Sequence, residues 1–355
     1  MRTDERKIQM KKILAVFLSA LMLLSVAACG EPGASDTDIE MLASTGTLSY
    51  VATAISEVVT KESNGLRMSA VGTSGTEANV SQMQSKSDAS RSVFMSSAAT
   101  YRTALHGKGT FEGQEPESDI RLIAGFVFGV NGFVTLDPEI KTLEDLDGKT
   151  VAMVTDAMPL QACTQMFKNL NIDVEIQVMG FNDQFSALSD GLVDACMYLG
   201  QMVTTTDEPL LPVSALQEMV ANQKNQVYAI PVPFDLIIQA AEDAGIADVF
   251  PYVSVMAQPG SLSEAQTDAF EVYGAVTGCL CAWSTMSDET AYAIAKTLCE
   301  RVESLRDYYS SLENLTAEQL VSMLATVAVS EDEVHPGALQ YYKEAGLWTA
   351  FEDNQ

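Results

Sequence analysis

The 355-residue chain holds only two histidines, His106 and His335, and its 20 Lys and Arg stand against 48 Asp and Glu. Each shortage excludes a class of function. No HExxH, paired CxxC, P-loop or GxSxG occurs, so the usual zinc, nucleotide and serine-hydrolase chemistries lack their residues. A formal net charge of −28 excludes nucleic-acid binding, which needs clustered cations on phosphate. It equally excludes broad attraction to anionic lipid headgroups. Beyond Cys29 only Cys163, Cys196, Cys279, Cys281 and Cys299 remain. An odd count at irregular spacing is no disulfide framework, and all five are expected to be small buried apolar residues. Cys279 and Cys281 are expected to point to opposite faces of a strand, which suits neither a zinc knuckle nor a redox pair.

What is present begins at the N-terminus. Lys11 and Lys12 precede an apolar run from Ile13 to Ala28, which ends Val26-Ala27-Ala28-Cys29. A basic start, a short apolar core and small residues before a cleavage point form a secretory signal. The run is shorter than the roughly 20 residues of a spanning helix. Cysteine after two alanines resembles a bacterial lipobox, which implies cleavage of residues 1–28 and lipidation of Cys29. The expected location is extracytoplasmic, anchored to the bilayer through Cys29. Residues 1–28 carry a net +3, so their loss leaves the chain near −31. Any anionic ligand must then be held by local donors against the overall field. Residues 29–38, rich in Gly, Ser, Pro, Asp and Thr, read as a flexible tether.

Beyond the tether strands and helices alternate. Strands are predicted at 39–43, 66–71, 92–96, 120–128 and 132–136, with helices at 48–63, 76–86 and 98–106. A second block follows Asp137-Pro138. It carries strands at 150–154, 174–179, 193–199 and 228–232, with helices at 159–170, 182–189 and 234–244. Residues 270–284 are a long apolar stretch, and Ser287-Asp288-Glu289-Thr290 starts a helix. The pattern is α/β, with doubly wound, mainly parallel sheets. At 47% apolar residues the chain can form ordinary cores.

Five blocks carry a family resemblance. They are Ser44-Thr45-Gly46-Thr47 with Tyr50; Thr73-Ser74-Gly75-Thr76-Glu77-Ala78-Asn79; Ile140 to Lys149 (IKTLEDLDGK); Leu188 to Ala195 (LSDGLVDA); and His335 to Leu347 (HPGALQYYKEAGL). Together they resemble the TAXI family, the solute receptors of tripartite ATP-independent periplasmic (TRAP) transporters. The third block is shared by many binding proteins, and the fifth is the most specific. The resemblance implies a two-lobed periplasmic-binding-protein-like fold (type II), each lobe a mainly parallel sheet flanked by helices. Lobe one would comprise 36–133 plus 273–355 and lobe two 134–272, closing by a hinge on a ligand. It implies capture of a small organic acid or amino acid for TRAP permease membrane subunits. It implies a monomer with no catalytic residue, metal or cofactor.

The residues themselves suit a carboxylate. The Ser44–Thr47 and Thr73–Thr76 loops each follow a strand and open a helix, where backbone N–H groups are unpaired and the dipole favours negative charge. Gly46 and Gly75 admit close backbone approach, and the hydroxyls of Ser44, Thr45, Thr47, Ser74 and Thr76 add donors. Tyr50 and Asn79 belong to the same two blocks. Ser96 matches the family's loop after the third strand, where Met95 and Ser97 depart from it. In lobe two, Thr155 and Asp156 occupy the loop after a strand, and Gln201 ends another; strand C-terminal ends face the cleft in such folds. Ala157 and Pro159 stand where the family has hydroxyls. Asp156 also reads as a cap for the following helix, and His335 as a turn residue before Pro336. Three other readings stand beside this one: a binding lipoprotein of an ABC importer, a ligand-sensing envelope receptor, and an envelope enzyme or metal-binding lipoprotein. The missing His, Cys and Asp constellation argues against the last.

Overall fold

A computed structural model describes residues 37–44, 47–154, 157–180, 183–201, 209–222, 226–309, 312 and 315–348. The chain divides into two compact units, Met1–Asp38 and Ile39–Gln355, and the second is described below. The signal segment, Cys29, Thr45, Gly46, Thr155, Asp156 and the side chain of Gln201 lie outside the described residues.

The element order begins β1 (Asp38–Leu42), α1 (Thr47–Glu62), β2 (Arg67–Val71), α2 (Thr76–Ser85), β3 (Ser92–Ser96), α3 (Ala98–His106) and β4 (Ile120–Thr135). It continues β5 (Thr150–Val154), α4 (Ala157–Asn169), β6 (Glu175–Met179), α5 (Asp183–Ser189), β7 (Ala195–Gln201), β8 (Leu211–Pro212), α6 (Ser214–Asn222), β9 (Tyr228–Ile230) and α7 (Phe234–Asp243). The last elements are β10 (Val253–Ala257), β11 (Phe270–Trp283), α8 (Asp288–Glu300), α9 (Val302–Arg306), α10 (Ala317–Val327) and α11 (Pro336–Glu344).

Local sequence accounts for the helices. In α1, Val51, Ile55, Val58 and Val59 are buried at helical spacing, the stripe of a helix lying on a sheet. Ser97 caps α3 and Ser287 caps α8, each accepting from the N–H three residues on. Thr316 and Gln319 form a capping box at the start of α10. His335 caps α11, with Pro336 in the first turn.

One sheet carries the spatial order β2-β1-β3-β11-β4-β7-β5-β6, with β8, β9 and β10 paired at its side. Two long strands form its spine. β4 and β11 pair antiparallel from Tyr273↔Asn131 to Trp283↔Ile120, and every residue of β4 except Arg121 is buried. The two strands predicted at 120–128 and 132–136 are therefore one, because the β11 ladder continues past Gly129. The upper part of β11 pairs with β3, Cys279↔Ser96 to Ala282↔Val93. The lower part of β4 pairs with β7, Gly129↔Gln201 to Thr135↔Ala195. Two α/β lobes thus hang from one two-stranded spine. Their sheets are parallel at the wings, β1 with β3 and β5 with β6 and β7, and antiparallel at the centre. The expectation of mainly parallel sheets is corrected there, since a spine strand leaving one lobe must return to it.

Successive strand residues feed opposite cores, as the pleat requires. Val151, Met153, Ala195 and Met197 join one apolar cluster with α4 and α7, while Ala152 and Cys196 join the larger cluster that also fills the first lobe. All five described cysteines are free and buried, and burial pushes the Cys163 and Cys299 thiols up to about 12. The expected divergence of Cys279 and Cys281 is wrong. Residues two apart on a strand share a face, and their sulfurs lie 3.9 Å apart.

Candidate functional site

The spine serves as a ruler for the cleft. β3 runs toward lower numbers of β11 and stops at Ser96, beside Cys279, which faces Gly125 of β4. β7 runs toward lower numbers of β4 and stops at Gln201, beside Gly129. The two lobes' strand ends therefore approach each other along the spine and leave the Gly125–Gly129 stretch between them. Four residues of strand span about 13 Å, the length of a small metabolite with its contacts. Neighbouring chain crowds this stretch. A Cβ on Gly129 would lie 2.6 Å from Thr277 Cγ2, and one on Gly274 would lie 2.4 Å from Phe128 Cε1.

The first-lobe wall is built around Asn79. This side chain is fully buried. Its Nδ2 donates to the carbonyls of Leu42 (3.3 Å) and Met95 (2.8 Å), and its Oδ1 accepts from the Thr73 hydroxyl at 2.6 Å. The Thr73 hydroxyl also lies against the Ala43 carbonyl, which competes for the same proton. One amide thus ties together the ends of β1 and β3 and the loop after β2. The structure gives Asn79, predicted as a ligand contact, the work of positioning the loops.

One predicted hydroxyl, that of Thr76, meets two that were not predicted, those of Ser97 and Thr100. Thr76 Oγ1, at the first position of α2, lies 2.8 Å from Thr100 Oγ1 in the first turn of α3. Ser97 Oγ lies 3.1 Å from the same Thr100 hydroxyl and accepts the Thr100 N–H. The Glu77 carboxylate closes the cluster, accepting from Thr76 at 3.1 Å and from Thr100 at 3.3 Å. Two hydroxyls, each in the first turn of a helix, therefore already hold one carboxylate supplied by the chain itself. Gly75 opens α2 with φ 159° and ψ 178°, a corner that glycine takes far more freely than other residues. A Cβ there would meet only Glu77 Oε2, at 3.7 Å.

The remaining predicted residues are placed as follows. Ser44 is buried at the end of β1 and Thr47 is half-buried at the start of α1. Ser74 is exposed, and Ser96 is buried with its hydroxyl on the Ser97 carbonyl. Tyr50 is exposed and stacks on Tyr309, centroids 5.5 Å apart. Sequence reasoning missed Ser97 and Thr100, although Ser three residues before Thr at a helix start is a capping signal. Arg102, on α3, pairs with Glu333 at 3.7 Å and donates to the Asp248 carbonyl at 3.4 Å. Nearby Lys108 reaches the Asp248 carboxylate at 2.6 Å and holds that carboxyl below its ordinary range. His335 is buried, and its Nδ1 accepts from the Gly337 N–H at 3.3 Å. It is a structural cap, as its place before Pro336 suggests.

The chain belongs to the NMT1-like family, whose model matches residues 42–346. It is similar to several solved structures at low identity. One is a TctC solute-binding protein from Polaromonas (10% identity, TM-score 0.49, covering 79% of this chain and 89% of that one). Another is the periplasmic sulfonate-binding protein SsuA of a sulfonate ABC transporter from Methylobacillus flagellatus KT (11%, 0.48, covering 88% and 96%). A third is MatC from Rhodopseudomonas palustris with bound malate (13%, 0.47, covering 83% and 96%).

Proposed function

We propose that this chain is an extracytoplasmic solute-binding lipoprotein that captures a small carboxylate-bearing solute between two lobes and delivers it to a membrane transporter. The carrying observation is the hydroxyl cluster of Thr76, Ser97 and Thr100 at two adjacent helix N-termini, with a carboxylate held in it. Donors that accept the Glu77 carboxylate suit a ligand's carboxylate too, and helix N-termini add to the attraction. The cluster lies past the C-terminal ends of β2 and β3, where α/β folds bind ligands.

In this reading lobe one is 36–133 plus 273–355, lobe two is 134–272, and the spine strands are the hinge. The Arg102 and Lys108 contacts to Asp248 then cross between lobes and favour closure. Ser44, Thr45, Gly46, Thr47, Ser74, Gly75, Thr76 and Ser96 face the ligand from lobe one, and Thr155, Asp156 and Gln201 from lobe two. The finer reading is a TAXI-type receptor serving a TRAP permease, supported by the five sequence blocks. Binding and closure, rather than catalysis, are the function. A thermal-shift screen of the chain lacking residues 1–28, against carboxylates and amino acids, tests the reading. A ligand at 100 times its Kd adds about 2.7 kcal/mol of stability. The absence of any shift across that panel would sink the proposal.

A further inference from the structure

We infer that Gln184 is the residue by which the second lobe reads the ligand, its carboxamide hydrogen-bonding a second polar group carried by the bound acid. The inference rests on the solute-receptor reading and deepens it.

Gln184 is fully buried, yet neither Nε2 nor Oε1 has a hydrogen-bond partner. A carboxamide offers two donors and two acceptor lone pairs, and buried polar groups are almost always paired, so an orphan requires an explanation. Its position supplies one. β5 pairs in parallel with β6, Val154↔Met179, and with β7, Val151↔Ala195. The C-terminal ends of all three strands thus share one edge of the lobe-two sheet, the edge that faces lobe one along the spine. α5 follows β6 at that edge, and Gln184 is its second residue. Phe185, Ala187 and Leu188 are buried with it on the packed side of the helix, whereas Asp183, Ser186 and Ser189 are exposed. The orphan amide therefore lies at the C-terminal edge of the lobe-two strands, the edge turned toward lobe one.

The chemistry of the amide limits what it reads. It carries no charge, so it gives a ligand ammonium less than a carboxylate would. An apolar ligand tail would leave it unpaired. A hydroxyl or a second carboxamide both donates and accepts, and so can engage its oxygen and its nitrogen together. The favoured ligand is a short acid bearing such a group: a 2-hydroxy acid, or an acid with a carboxamide end.

The test measures binding of butyrate, malate and glutamine to the detergent-solubilised full chain, for the wild type and for Gln184→Leu and Gln184→Met. The wild type is expected to bind malate or glutamine more tightly than butyrate. Both variants should lose that preference, weakening the preferred ligand by about tenfold or more, the scale of one hydrogen bond lost. Butyrate binding should not change. The unliganded variants should melt no lower than the wild type, since an unpaired buried amide has been replaced by an apolar group. Gln184→Met keeps the length of the side chain and carries the test if Gln184→Leu does not fold. Variants that retain the wild-type preference overturn the inference alone, as does a wild type that binds butyrate as tightly as the others. A wild type that binds no carboxylate overturns the receptor reading, and the inference with it.

Discussion

Glu77→Gln should act with opposite signs on folding and on binding. The Glu77 carboxylate sits in the first turn of α2, accepting from Thr76 at 3.1 Å and Thr100 at 3.3 Å. Gln keeps the shape and an acceptor oxygen but removes the charge. A carboxylate in the first turn of a helix is favoured by about 0.3–1 kcal/mol, so the unliganded variant should lose about that much stability. A ligand carboxylate entering the same cluster meets the Glu77 charge a few ångströms away. Two like charges at 4 Å repel by about 1 kcal/mol in water and by more where water is displaced. Glu77 is exposed, so the lower figure applies, and the variant should bind a carboxylate about fivefold more tightly. The gain should shrink as salt rises, because screening acts within about 8 Å at physiological ionic strength. Titration calorimetry at two salt concentrations, beside a urea melt, reads both effects. If Glu77→Gln weakens binding, the reasoning is refuted. Glu77 would then be a partner for a ligand ammonium, and the carboxylate would lie elsewhere.

Other perturbations bear on other parts of the molecule. Cys29→Ser should abolish lipid labelling and leave the precursor uncleaved; an unchanged mass and unchanged membrane retention would count against the lipobox. Gly75→Val should remove carboxylate binding and cost about 1–3 kcal/mol of stability through its backbone conformation. Thr76→Ala should weaken binding by about 1–2 kcal/mol, and calorimetry distinguishes the two. Burial holds the His335 imidazole below its ordinary 6.5, with Asp288 opposing in part. Below that pH the unfolded chain binds the proton and the folded protein resists it. Stability is therefore full above about 6.5 and falls as the pH drops toward the folded value. His335→Asn keeps a capping acceptor and should flatten that slope in denaturation midpoints measured between about pH 7 and pH 5.

The regular elements were legible because their signals are local. Ser97 and Gly107 bracket α3 as cap and αL stop, and the predicted span 98–106 matches it. The strands at 92–96 and 150–154 also match. What escaped was non-local. Gly129 looks like a break in an apolar run, yet it is a strand residue because Ala275 pairs across from it. The edge strand β10 was missed, since its residues Val253, Ser254 and Met256 are exposed and its order comes from the ladder to β11. Near the candidate site, the glycine and hydroxyls of Thr73–Thr76 mark a turn before a helix, which composition alone shows. The role of Asn79 depends on two carbonyls distant in sequence, those of Leu42 and Met95, and the isolation of Gln184 depends on what surrounds it after folding.

The place of β11 between β3 and β4 governs the order in which the protein can mature. During synthesis β3 and β4 exist long before the strand that separates them. Until residues 270–283 arrive, two apolar strands stand with unpaired edges, the condition that invites pairing with other chains. Residues 134–272 are contiguous and can collapse early. The first lobe must wait for the last quarter of the chain, which adds β11 and then α8, α10 and α11 to its core. This contact lies late and far in sequence, and such pairings are slow to form. A chain cut short near residue 265 should therefore lose the N-terminal lobe, although every residue of that lobe's first three strands is still present.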